Sequence, residues 1–252
     1  MTGLIAATGL SPLQLIAVMV MALGAAAIRG LTGFGMAIIL VPLLCIVIRP
    51  DEAVILAILL QFMIGPVGIR TILRDMHLKT ALPIILTAVM ATPFGIYLLA
   101  ITPPDIARLI IAGIAIGAFL MLFVPQNRTR IPGTPVALAS GVLAGILTGF
   151  AAMPGPPVVI FYIREAFSAH TARASMMLVF FATATTGTFV AALGGLIEVR
   201  IIILAFIMLI PMLVGNWAGA KAFGRISPPL WRGAVAVLLG VAGLSAVVRL
   251  FT

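Results

Sequence analysis

Residues 24–44 read GAAAIRGLTGFGMAIILVPLL. The stretch lies in a long apolar run, yet it carries Gly24, Gly30, Gly33, Gly35 and Pro42, with a full charge at Arg29. Glycine is entropically expensive inside a helix. Proline lacks an N–H and clashes with the preceding turn. The run is therefore predicted to break near 29–35 rather than continue as one helix. A related piece recurs at 141–162, GVLAGILTGFAAMPGPPVVIFY, where Leu147-Thr148-Gly149-Phe150 repeats Leu31-Thr32-Gly33-Phe34. Glycine-broken apolar segments at matching places in two halves mark the binding site of a secondary transporter.

Composition sets the class. Over 252 residues, 63% are hydrophobic and 8% charged, with mean hydropathy +1.32. A soluble domain carries roughly a quarter charged residues, so this chain is read as a polytopic membrane protein. A span needs roughly 20 helical residues, so eight to ten hydrophobic segments use nearly the whole chain and leave no room for a soluble domain. The apolar runs are long and do not alternate, which excludes a barrel. Fifteen Lys plus Arg face six Asp plus Glu. The basic residues sit mostly in short loops, where they set topology and meet anionic lipid rather than nucleic acid. The single Cys45 cannot form an internal disulfide. The first residues lack a basic n-region, so no cleaved signal peptide is expected.

The chain then divides into repeats. Segments are predicted at about 11–48 (broken), 52–70, 80–100 and 105–124, and again at 135–163 (broken), 170–193, 198–222 and 229–250. The polar link carrying Arg128 and Arg130 separates an N-terminal repeat, 1–127, from a C-terminal repeat, 128–252. Ser227-Pro228-Pro229 echoes Thr102-Pro103-Pro104, and a shared period is better support than any one match. Arg70, Arg74 and Lys79 follow segment two, whereas its counterpart is followed by Glu198 and Arg200. Only Arg108 follows segment three, whereas Lys221, Arg225 and Arg232 follow its counterpart. The bias flips, so the halves are predicted to face opposite ways. That requires an odd number of crossings per half: three spans plus a re-entrant hairpin, or five spans. Arg249 does not fit the flip, and four-plus-four parallel spans is the competing layout.

A broken helix frees backbone amides and carbonyls that hydrocarbon cannot satisfy, so a break survives only in protein or against a cavity. Half-helix N-termini there present amide donors and a positive dipole end, suited to an anion. Tight packing through small residues is the competing explanation. It is the better one for Gly24 alone. For Gly33, Phe34 and Gly35 with Gly149, Pro154, Gly155 and Pro156, a backbone-lined site is preferred. Arg29 has no acidic neighbour in sequence, and a charge at a helix centre costs about 2.5–3.5 kcal/mol on insertion scales. Arg29 is read either as an anion-binding charge or as a loop residue between spans. Gln61, Thr32, Thr148 and Asn216 are candidate hydrogen-bonding partners. Thr183, Thr185, Thr186 and Thr188 are read as interhelical contacts, and Arg173 as a snorkelling or gating residue. No carboxylate falls mid-span, and no metal cluster, nucleotide loop or nucleophile–base pair appears. No cofactor, metal or catalytic residue is expected.

The strings LTGFGMAIILVPLL at 31–44 and GILTGFAAMPGPPVVIFYIREAFSAHTARASMM at 145–177, with the two-repeat layout, resemble the sulfite exporter TauE/SafE family, also described as toluene-sulfonate uptake permeases. The family pattern has more glycine, where this chain has Met36, Ala151 and Ala152. The resemblance implies movement of sulfite, an organosulfonate or a related anion across the bacterial inner membrane. The expectation is thus an all-α polytopic membrane protein of two inverted-topology repeats, each a glycine-broken helical hairpin plus three transmembrane helices. It would be an alternating-access permease, not an enzyme, with a small anion near the midplane, lipids around it and a homodimer conceivable through small-residue faces. A passive anion channel and a non-transporting assembly subunit are the alternatives.

Overall fold

The computed structural model describes residues 7–121, 133–164 and 167–222, all helix and connections among the described residues. The helices are α1 Pro12–Thr32, α2 Met36–Val47, α3 Pro50–Ile64, α4 Ile69–Asp75, α5 Leu78–Ile101, α6 Pro104–Met121, α7 Thr134–Ala151, α8 Gly155–Arg164, α9 Ala169–Leu193 and α10 Val199–Ala222. Five of them (α1, α5, α7, α9 and α10) are long and apolar enough to cross a membrane, or six spans if α3 and α4 count as one bent span. The predicted segment 229–250, the link at Arg128 and Arg130, and the loop charges Arg225, Arg232 and Arg249 lie outside the described residues.

Starts and stops follow local chemistry. Ser11 and Gln14 cap α1 reciprocally, each side chain accepting from the other's backbone N–H, with Pro12 in the first turn. Segment two was expected to run straight through 52–70. Instead the 65–68 stretch, Gly-Pro-Val-Gly, turns the chain by 80° between α3 and α4, because Gly68 takes φ 78 and starts α4 in a left-handed conformation. Hydropathy alone continues across that corner. Pro83 and Pro93 lie inside an unbroken α5.

Each broken segment is a long arm followed by a short one. α1 is about 31 Å long and α2 about 18 Å, α7 about 27 Å and α8 about 15 Å, at 1.5 Å per residue. Cross-chain contacts fix the directions. One face of the bundle holds the starts of α1, α3 and α10, joined where Arg200 donates to Glu52 at 2.9 Å and to the Thr8 carbonyl at 2.6 Å. The opposite face holds the starts of α5 and α9, joined by the His77 N–H to Ser175 Oγ at 2.9 Å. Thr80 meets Tyr162, near the end of α8, at 3.3 Å on that same face. So α1–α2 leaves the first face and returns to it, while α7–α8 leaves the second face and returns.

The two largest helix interfaces join residues far apart in sequence: α5 with α7, and α1 with α10. Both pairs run parallel and meet through glycine. A Cβ at Gly215 or Gly219 would strike the backbone of Leu23 or Ala27, and one at Gly141, Gly145 or Gly149 would strike α5 at Ile84, Ala88 or Thr92. Gly30 packs in the same way on Asn216 and Ala220. Gly24, read from sequence as a packing glycine, instead faces open space. Leu23 and Ala27, to either side of it, make the close approach.

Two apolar cores result. The larger is filled from α1, α2, α3, α6 and α10, with Ala151, Ala152 and Met153 joining it; the smaller from α5, α7, α8 and α9. Phe34, in the first break, packs against both. Large apolar side chains such as Leu13, Ile16, Met90, Phe94 and Ile210 point outward, the inside-out economy of a lipid-bathed bundle.

Candidate functional site

The two breaks meet. Between them lies a cavity of about 30 Å³ lined by Arg29, Gln61, Gly65, Phe180 and Phe181, together with residues 33–38 and 152–155. The first wall is built by glycine. α1 ends because Gly33 takes φ 81 and its N–H returns to the Arg29 carbonyl at 2.7 Å. Gly35 takes φ 89 and starts α2 with no side chain capping it. Met36, Ala37 and Ile38, the first turn of α2, line the cavity, and their amides have no intrahelical acceptor. Thr32 does not line the cavity. Its hydroxyl lies 2.8 Å from the Ile28 carbonyl and 2.6 Å from that of Phe34, and accepts from the Phe34 N–H at 3.2 Å, so it holds the turn in shape.

The second wall is different. α7 ends at Ala152, which adopts φ 57, a left-handed conformation unusual for a residue with a Cβ. The Ala152 N–H returns to Thr148 at 2.7 Å and the Met153 N–H to Leu147 at 3.0 Å. Gln61, on α3, donates from Nε2 to the Ala152 carbonyl at 2.9 Å. That bond ties the first half's α3 to the second half's break. α8 then begins with Gly155, Pro156 and Pro157. Two prolines in the first turn carry no N–H. The expectation that both breaks offer a set of amides is corrected: α2 presents three in its first turn, α8 only that of Gly155.

Arg29 is half-buried and lines the cavity. Its Nη1 donates to Asn216 Oδ1 at 2.9 Å, a neutral partner that orients the guanidinium and leaves its charge uncompensated. Among the described residues, no carboxylate lines the cavity. Arg173, on α9, lays its stem against Gly33 and donates from Nη2 to the Gly30 carbonyl at 2.8 Å. It thereby places a second cation on the last turn of α1, where the helix dipole favours one. Sequence reasoning noticed Arg173 but gave it no place at the first break. The signal lay in the glycine at 33, which leaves room for a neighbour's stem.

Of the residues singled out from sequence, Arg29, Gly33, Phe34, Gly35, Gln61, Pro154 and Gly155 are brought together around this cavity, and Asn216 stands directly behind Arg29. Thr148, Gly149 and Pro156 do not line it. Thr148 is buried, its hydroxyl donating to the Ala144 carbonyl at 2.7 Å, and Gly149 is occupied by its contact with α5. The hydroxyls of Thr183, Thr185 and Thr186 donate within α9 itself, to Phe180, Phe181 and Ala182, rather than across to another helix.

A larger cavity, about 450 Å³, opens at the first face among Arg49, Asp51, Glu52, Leu99, Leu196 and Glu198. Its one lining arginine is bonded to Asp51 at 3.1 Å through two nitrogens. Those bonds, and the Asp51 charge, hold the Arg49 guanidinium above its ordinary range. Three carboxylates against one committed cation make a poor seat for an anion.

An all-helical bundle with an apolar exterior and two interrupted helices meeting at a polar cavity belongs to the class of multi-pass membrane proteins. Within that class, residues 18–246 match the family described as Sulfite exporter TauE/SafE. The chain belongs to that family, as the two glycine-rich strings led one to expect, and the family's description is that of a membrane transporter. Similarity is also found to a probable sulfite/organosulfonate exporter TauE of Cupriavidus necator, 26% identical over 118 residues, 46% of this chain and 46% of that protein. That match spans just under half the relative's length. No solved structure matches the chain.

Proposed function

We propose that the chain is a secondary transporter moving a small anion, sulfite or an organosulfonate or a related species, across the bacterial inner membrane by alternating access. The observation that carries this reading is the charge state of the cavity between the breaks: an arginine held by a neutral asparagine, uncapped α2 amides, and no carboxylate among the described lining residues. A partly buried guanidinium with no counter-charge is unfavourable, and an oxyanion entering from water offsets that penalty.

The helix directions support an inverted-repeat architecture. α1–α2 and α7–α8 enter from opposite faces and return, and α3 opposes α9 in direction as α5 opposes α10. Loop charge gives the orientation. Arg70, Arg74, Lys79 and Lys221 lie toward one face, with Arg74 paired to Asp75, whereas Arg49, Arg108 and Arg200, each paired to a carboxylate, lie toward the other. The positive-inside rule then puts the first group in the cytoplasm. The moving bodies are the two apolar cores rather than the two sequence halves, because α5 and α10 are exchanged between them. The substrate cavity lies at their seam, beside Phe34.

Uptake of sulfite and sulfonates into proteoliposomes tests this. Saturable, counterflow-competent flux in wild type, lost in Arg29→Ala, is the expected result. Equal flux in both proteins would remove Arg29 from the site, and flux without saturation or counterflow would make the protein a channel.

A further inference from the structure

We infer that Phe181, seated against Gly65, sets the upper size limit of the anion this protein accepts; the inference rests on the cavity between the breaks being the anion site. The cavity is about 30 Å³, room for two or three waters at roughly 10–15 Å³ each. Most of its wall cannot yield. Gly33, Ala152 and Met153 are held by backbone hydrogen bonds, residues 36–38 belong to α2, and Met36 and Met153 are buried in the larger core. Phe180 packs into the smaller core.

Phe181 is the exception. It is half-buried, lines the cavity and belongs to neither core. Its ring lies in the space a side chain at position 65 would fill, so that a Cβ there would collide with the ring. It also stacks on Phe62, with centroids 6.3 Å apart and planes 10° from parallel. Gly65 follows the last turn of α3, so this one ring closes the gap between α3 and α9 at the cavity's edge. With the ring in place the cavity fits an inorganic oxyanion such as sulfite. A sulfonate with an aromatic substituent needs the volume the ring occupies. Truncating Phe181 opens that volume without emptying a core, while the arginine and the α2 amides stay where they are.

The test compares uptake of sulfite and of benzenesulfonate by the full-length protein in liposomes, for wild type, Phe181→Ala and Phe181→Leu, with thermal unfolding of each variant as the check on folding. Wild type is expected to favour sulfite. In Phe181→Ala the ratio of benzenesulfonate to sulfite uptake rises about tenfold, the scale of discrimination that a change in pocket volume brings, and Phe181→Leu falls between. If wild type takes benzenesulfonate as readily as sulfite, or if both folded variants keep the wild-type ratio while still moving sulfite, Phe181 is not the size limit and the anion site stands. If folded wild type moves neither anion, the anion site itself is wrong and the size limit goes with it.

Discussion

The two breaks share the letters Leu-Thr-Gly-Phe but not a job. In the first copy the helix ends at the threonine, and Gly33 and Gly35 turn the chain. In the second the helix runs three residues past the threonine and ends at Ala151, so Thr148 and Gly149 remain helical and serve packing. The first break is charged and rich in amide donors. The second is closed by proline and strained at Ala152, whose buried carbonyl accepts from Gln61. On the proposed transport reading the two breaks make an asymmetric site: one wall would attract an anion, the other would shape the space it enters.

That asymmetry can be broken at several points. Arg29→Ala should have the largest effect, an anion affinity roughly 10- to 100-fold weaker, the equivalent of losing one charge-assisted hydrogen bond. Arg29→Lys should recover only part of it, because an ammonium lacks the planar fork; titration calorimetry or flux measurements would read both. Gly35→Ala forces a Cβ onto φ 89 and is expected to cost about 1–2 kcal/mol of stability, seen as a lowered unfolding midpoint. Gln61→Leu leaves the Ala152 carbonyl without its donor and should cost about 1 kcal/mol. If the midpoint does not move, the tie between the breaks is not structural. Pro156→Ala with Pro157→Ala restores two amides to α8 and should tighten anion binding by about two- to fivefold, given 0.3–1 kcal/mol for a charge near a helix N-terminus. The smallest change is expected from Ala152→Gly, which relieves the left-handed strain and shifts the midpoint upward by no more than the equivalent of about 1 kcal/mol.

Much of this was legible before any coordinates. The class followed from hydropathy, and the places of the breaks from glycine and proline inside apolar runs. Residues 33–35 and 154–155, singled out from sequence, line the cavity, and conformational need is written in those residue types. What could not be read was partnership. Arg29 and Asn216 are 187 positions apart, and nothing in either local sequence announces the other. Thr148 and Gly149 were assigned to the site because they repeat Thr32 and Gly33, but the shift of three residues in where the helix ends is decided by tertiary contact with α5. The corner at 65–68 was missed for a related reason: Gly-Pro-Val-Gly between Ile64 and Ile69 leaves the hydropathy average high.

The exchange of α5 and α10 between the two cores bears on how the protein is made. α1 is synthesised well before α10, yet the backbone it presents at Leu23 and Ala27 is met by Gly215 and Gly219 of α10. At about 5–20 residues per second, those 187 positions correspond to roughly 10–40 s of translation. Throughout that interval Arg29 sits in the nascent bundle without Asn216. α1 must therefore wait for α10, and completing this interface is a non-local event that the N-terminal residues alone cannot achieve.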